Sequence, residues 1–131
     1  IITKRDRREY SSRPIEGEAL HRILQAGRMA GSSSNSQPLR FVAIRDAAVK
    51  EELKPFGRGV RPLDAPLVII IVRRAGSDSF DVGRAMQNMF VAAWADGIIS
   101  CPVGLQDKAG AAKVLELPAE WEIASGRRRT A

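Results

Sequence analysis

The six residues Leu67-Val68-Ile69-Ile70-Ile71-Val72 contain no polar side chain, and all but Leu67 are β-branched. A strand with one wet face alternates apolar and polar residues; this run does not alternate. It reads as a central strand buried on both faces, so the rest of the chain must supply cover on each side. It is also far too short to cross a bilayer, which takes about 20 apolar residues.

Helical patterns provide that cover. From Glu16 to Ala30, Leu20, Ile23, Leu24 and Gly27 fall at helical spacing with one buried stripe. The longest helix is expected from Phe80 to about Ala95, capped from within Ser77 to Ser79 and closed by Gly97. Its apolar residues cover more than half its circumference, which makes it a core helix. Ala85, Ala92 and Ala93 let another backbone approach closely. Asp46 is placed to cap a short helix carrying Val49 and Leu53, which Pro55 stops. Asp107 is placed to cap another, reaching about Leu115. Phe41 to Ile44 and Ile98 to Cys101 read as strands, the second ended by Pro102. With 131 residues, no linker and no internal repeat, a single domain over 1–131 is expected. Its fold class is α+β: a mixed sheet from strands near 41–45, 67–72 and 98–101, flanked by helices.

The chain carries 21 Lys+Arg against 15 Asp+Glu, and the basic residues crowd its ends. Lys4, Arg5, Arg7, Arg8 and Arg13 lie at the start; Arg127, Arg128 and Arg129 lie at the finish. No aromatic residues interleave with them, which argues against a single-strand stacking platform. Two basic ends can instead converge on one phosphate. One cysteine, Cys101, and one histidine, His21, exclude an intrachain disulfide and a cysteine-rich zinc site, and no metal is expected. Cys101 reads as a small buried hydrophobe and His21 as solvent-facing. With no signal-peptide pattern, a cytoplasmic location is expected, with no membrane or nucleic-acid partner. The chain opens at Ile1 rather than Met, so further residues are expected before it.

Between the first helix and the first strand lies Gly31-Ser32-Ser33-Ser34-Asn35-Ser36-Gln37-Pro38. Ser and Asn side chains compete for backbone hydrogen bonds, so the run is poor helix and poor strand. It suits a wall of small donors beside a flat polar ligand. Pro38 pushes Gln37 toward extended backbone. Gly57-Arg58-Gly59 resembles a phosphate loop only superficially. It lacks a third glycine, and Pro62 follows where a helix should open, so a dinucleotide fingerprint is rejected.

In family order, several segments resemble the FMN-dependent nitroreductases. These are Lys4-Arg5-Asp6-Arg7-Arg8-Glu9-Tyr10, the Ser32 to Phe41 run, Asp64-Ala65-Pro66 before the apolar strand, Asp81-x-Gly83-Arg84-Ala85-Met86-Gln87-Asn88-Met89, and Cys101-Pro102-Val103-Gly104. The resemblance implies a homodimer that holds FMN at its interface. It also implies reduction by NADH or NADPH and a small-molecule acceptor such as a nitroaromatic or quinone, in a ping-pong cycle. Lys4, Arg5 and Arg8 would meet phosphate or ribityl, with Arg127 and Arg129 closing from the tail. Ser32, Ser33 and Asn35 would reach the flavin of the partner subunit. Arg61 would lie near N1, where a fixed cation stabilises the reduced ring. Pro102, Val103, Gly104 and Leu105 would border the ring, with a backbone N–H toward N5. No side chain is needed as nucleophile or general acid. Asp81 reads as an interface or helix-start carboxylate without a catalytic role.

Two departures from the family pattern stand out. Asp6 replaces a serine that touches phosphate, so its charge repels unless it orients Arg5 or Arg8. Between Gly126 and Arg127 a family stretch is absent, and a loop missing from the sequence is expected there. Three rivals stay open: the same fold with other flavin chemistry (dehalogenation or ring oxidation), a basic nucleic-acid-binding domain, and a dimer that has lost flavin.

Overall fold

The computed structural model describes residues 1–7, 9–57 and 64–124. The chain folds as α+β. In order, the described residues form α1 (Gly17–Arg28), β1 (Leu39–Ile44), α2 (Ala47–Leu53), β2 (Val68–Arg74), α3 (Ser79–Ala95), α4 (Lys108–Val114) and β3 (Trp121–Ile123). Short 3₁₀ turns occupy Ser33–Asn35 and Lys54–Phe56.

β2 is the central strand, as its unbroken apolar run requires. β1 pairs antiparallel along one edge, from Leu39 opposite Arg73 to Ile44 opposite Val68. β3 pairs antiparallel along the other, with Val72 opposite Ile123. Side chains alternate across the pleat and feed two cores. Val68, Ile70 and Val72 join Ile44, Leu53, Ala111 and Ile123, on the side covered by α2 and α4. Ile71 and Ile69 join Ile23, Met89 and Ala93, on the side covered by α1 and α3.

Two expectations need correction here. The third strand is Trp121–Ile123, not Ile98 to Cys101. Both edges of β2 are taken by β1 and β3, so 98–101 does not lie beside the central strand. Only Ser100 bridges, in parallel, to Asp6. The three-stranded sheet is antiparallel rather than mixed, and the parallel Asp6–Ser100 bridge lies outside it.

The helix stops and starts follow local chemistry. Asp46, Asp78 and Asp107 each accept a backbone N–H at the start of a helix, at 2.8, 2.8 and 2.9 Å. Gly97, at φ +74°, takes the left-handed turn that ends α3. Gly27 sits where α1 meets α3 and β1. A Cβ there would lie 2.7 Å from Met89 Sδ and 3.0 Å from Phe41 Cζ. No helix among the described residues is long and apolar enough to cross a membrane.

Candidate functional site

The basic N-terminal segment lies along the C-terminal half of α3. Lys4 Nζ sits 4.4 Å from the centroid of the Phe90 ring. Trp94 Nε1 donates to Thr3 Oγ1 at 3.1 Å. Beyond that, Arg7 N–H donates to the Ser100 carbonyl at 3.2 Å, which completes the Asp6–Ser100 bridge. These contacts set Lys4 to Arg7 beside the chain that runs directly into Pro102–Leu105.

Within that segment the charges are unequal. Lys4 pairs with Asp6, so Asp6 orients Lys4 rather than Arg5. Arg5 donates only to backbone carbonyls, those of Ile2 and Lys4, at 2.9 Å each. Its positive charge is thus free of any carboxylate among the described residues, as an anion-binding guanidinium must be.

The Pro102–Leu105 segment is fastened from its far end. Leu105 bridges to Gly57, and Gln106 N–H donates to the Phe56 carbonyl at 2.7 Å. Pro102 and Gly104 are exposed, and a Cβ on Gly104 would meet nothing within 4 Å. A flat ligand can therefore approach this backbone closely. The N–H groups of Gly104 and Leu105 donate to no described residue. Behind the segment, a cavity of about 670 Å³ opens against α1, α3 and β2; Val103 and Ser100 contribute to its wall. The Ser100 hydroxyl is buried there without a described partner. Cys101, expected to be buried, is partly exposed.

Gly57 and Asp64 flank the stretch that carries Arg61. Lys54 Nζ reaches Asp64 at 3.1 Å and also pairs with Glu51. The two carboxylates raise the Lys54 pKa, Glu51 foremost. Lys50 Nζ holds the Ala65 carbonyl at 2.8 Å. Arg61 itself lies outside the described residues, as do Arg8, Arg127 and Arg129. The convergence of the two basic ends therefore lies outside the described residues.

The serine-rich turn stands apart from this cluster. It packs on the N-terminal end of α3, where Ser33 N–H donates to Asp81 Oδ2 at 3.3 Å. Asp81 and Phe90 are nine residues apart, about 14 Å along a helix rising 1.5 Å per residue. Ser33, Ser34 and Asn35 are exposed, and Ser32 is half-buried. Part of the local, self-satisfying behaviour of such turns is present. Ser32 Oγ accepts from Gln37 N–H at 2.9 Å, and Asn35 Oδ1 accepts from Gln37 Nε2 at 3.2 Å. The Ser33 side chain and the Asn35 amide N–H groups remain available.

Sequence reasoning gave no positioning role to the residues that hold these groups in place. Phe90 and Trp94 seat the basic segment, Lys54 and Asp64 pin the flank of Arg61, and Asp81 with Arg84 seats the turn. One signal was available for Asp81. With Asp78 already positioned as cap, a second carboxylate in the first turn of an apolar helix is surplus to capping.

The model of the Nitroreductase family matches residues 1–60 and 54–126. An Archaeoglobus fulgidus protein, named as an NADH dehydrogenase/NAD(P)H nitroreductase, is 28% identical over 123 residues, covering 88% of this chain and 71% of that protein. Other curated relatives are matched over 30–38% of their own length. Among solved structures, the FMN-dependent nitroreductase of Clostridium difficile R20291 superposes with TM-score 0.85 at 21% identity, over 93% of this chain and 79% of that one. A protein of Desulfovibrio desulfuricans, named as a nitroreductase and crystallised with FMN, superposes with TM-score 0.83 at 27% identity, over 95% and 78%. With its motifs in order, its fold shared and its family match running from residue 1 to residue 126, the chain belongs to the nitroreductase family.

Proposed function

We propose that this chain is an FMN-dependent oxidoreductase that works as a homodimer. It takes electrons from NADH or NADPH and passes them to a nitroaromatic, quinone or similar small acceptor in a ping-pong cycle. The observation that carries the reading is one line of contacts. Asp6 and Arg7 contact Ser100, just before Pro102–Leu105, and the far end of that segment bridges Gly57 at the base of the Arg61 stretch, which supports one site along it.

The residues present fit the cofactor. Arg5 offers the phosphate a guanidinium that no described carboxylate neutralises, with Lys4 beside it and Arg8, Arg127 and Arg129 as further candidates. Gly104 and Leu105 offer N–H groups that donate to no described residue, with open space beside Gly104, which suits a planar ring. Bound FMN supplies the two-electron redox chemistry. The chain binds it, orients it and sets the charge around it.

Two features support the dimer. The Ser32, Ser33 and Asn35 turn lies at the other end of α3 from the basic segment, so a second copy is what brings a turn to each flavin. Beside the turn, an open groove is lined by Met29, Phe80, Gly83, Arg84 and Gln87. Met29 and Phe80 are each 67% exposed there, an apolar cost that a partner's surface removes.

Titration of the flavin-free protein with FMN tests the reading, followed by anaerobic reduction with NADH and with NADPH. The expected outcome is saturable binding at one FMN per chain, bleaching by at least one nicotinamide, and parallel double-reciprocal lines with a quinone or nitroaromatic. Absence of any spectral response to FMN would overturn it.

A further inference from the structure

Asp81 is the buried charged side chain among the described residues, only 3% exposed. Burying a carboxylate is costly unless something uses it. Capping of α3 does not, because Asp78 already accepts the Phe80 N–H. Asp81 makes no ion pair with a described residue. What it does accept is the N–H of Ser33, the first residue of the Ser33–Asn35 turn.

That turn needs holding. Ser34, Asn35 and Gln37 (the last expected to be extended before Pro38) have φ of +53°, +51° and +50°, three non-glycine residues in the left-handed region within four positions. Such backbone is strained and persists only where its surroundings impose it. One helical turn beyond Asp81, Arg84 covers the same stretch. A Cβ on Gly31 would lie 2.7 Å from a guanidinium nitrogen of Arg84. Residues three apart share a helix face, so Asp81 and Arg84 together seat residues 31–33 on α3.

We infer that Asp81 is a positioning residue. It fixes the Ser33–Asn35 turn in its left-handed form, so that the exposed Ser33 and Asn35 side chains are presented to a planar polar ligand. The inference rests on the FMN reading above and names the group that shapes that part of the site.

Two substitutions separate positioning from simple burial. Asp81→Asn keeps a carbonyl oxygen able to accept the Ser33 N–H; Asp81→Ala keeps none. In the full chain, Asp81→Ala is expected to raise the FMN Kd about tenfold, the scale of one lost charge-assisted hydrogen bond. It should also alter the visible circular dichroism of the bound flavin. Asp81→Asn should stay within about threefold of the unmodified protein. Amide hydrogen exchange reads the turn directly: peptides covering 31–37 lose protection in Asp81→Ala and keep it in Asp81→Asn. Equal behaviour of the two variants in affinity and exchange would overturn the inference.

A second pair avoids touching the core. Ser32 is extended, at φ −131° and ψ 155°, the geometry that a following proline favours. Ser33→Pro therefore removes the N–H donor, while Ser33→Ala removes only the hydroxyl. The proline variant should bind FMN several-fold more weakly than the alanine variant, and equal Kd values would again overturn the inference. If the unmodified protein binds no FMN, the flavin reading fails. The exchange contrast between Asp81→Ala and Asp81→Asn then decides positioning alone.

Discussion

At the scale of single residues, burial and charge decide what each side chain contributes. Leu53 is completely buried between the sheet and α4, in a core shared with Ile44, Val68 and Ala111. Its truncation removes apolar contact and leaves a cavity, so Leu53→Ala should cost about 2–5 kcal/mol, measured by urea unfolding. Asp6 acts through charge. It pairs with Lys4, one of the cations proposed for the phosphate. Asp6→Ser is expected to tighten FMN binding about fivefold, in line with about 1 kcal/mol for one unit charge near a dianion across a solvated gap. The gain should shrink as salt is raised, and fluorescence titration at two ionic strengths checks both points. His21 was readable as a solvent-facing residue, and the structure exposes it. The pairing of Asp6 with Lys4 was not readable. Four neighbouring cations, Lys4, Arg5, Arg7 and Arg8, compete for that carboxylate, and the seating of Lys4 on Phe90 favours one.

At the scale of elements, periodicity and capping carried most of the information. The expected helices appear at 17–28, 47–53, 79–95 and 108–114, because each starts at or near a carboxylate or loop and stops at a Gly, Pro or polar break. β1 begins two residues earlier than its apolar core suggests, at Leu39 directly after Pro38. β3 was not legible. Trp121-Glu122-Ile123 is too short to show alternation, and its strand character comes from pairing with β2 rather than from propensity. The reverse holds for Ile98 to Cys101, whose residues favour a strand but which pair with no strand of the sheet, Ser100 bridging to Asp6 instead. Close approach between elements also yields a prediction. Gly27→Ala improves intrinsic helix propensity by up to about 1 kcal/mol. It also drives a methyl group into Met89 and the Phe41 ring, and overpacking of that kind costs about 1–3 kcal/mol. The net effect should be destabilising by about 1 kcal/mol in denaturant unfolding.

At the scale of the whole molecule, the site divides between two places on one protomer, and the proposed dimer reunites them. Phe80 is exposed on α3, with the Arg84 guanidinium carbon 5.8 Å from its ring centroid. Phe80→Glu should leave the fold within about 0.5 kcal/mol of the unmodified protein, as exposed substitutions do. At the same time it should shift the sedimenting species toward monomer and weaken FMN retention. Loss of FMN without loss of the dimer, or the reverse, would separate the two properties and contradict a shared interface.

The chain's own pattern settled the layers: an apolar strand without a wet face, helices with one or more buried stripes, and carboxylates at helix starts. Those are short-range consequences of side-chain period and backbone hydrogen bonding, which neighbouring residues impose on one another. The motif order likewise pointed to the family. The fold alone decided which strands occupy the two edges of β2, which cation Asp6 takes, and that the serine turn hangs from Asp81 far from the basic segment. Each of these is a competition among groups distant in sequence, and only their placement in space determines the winner.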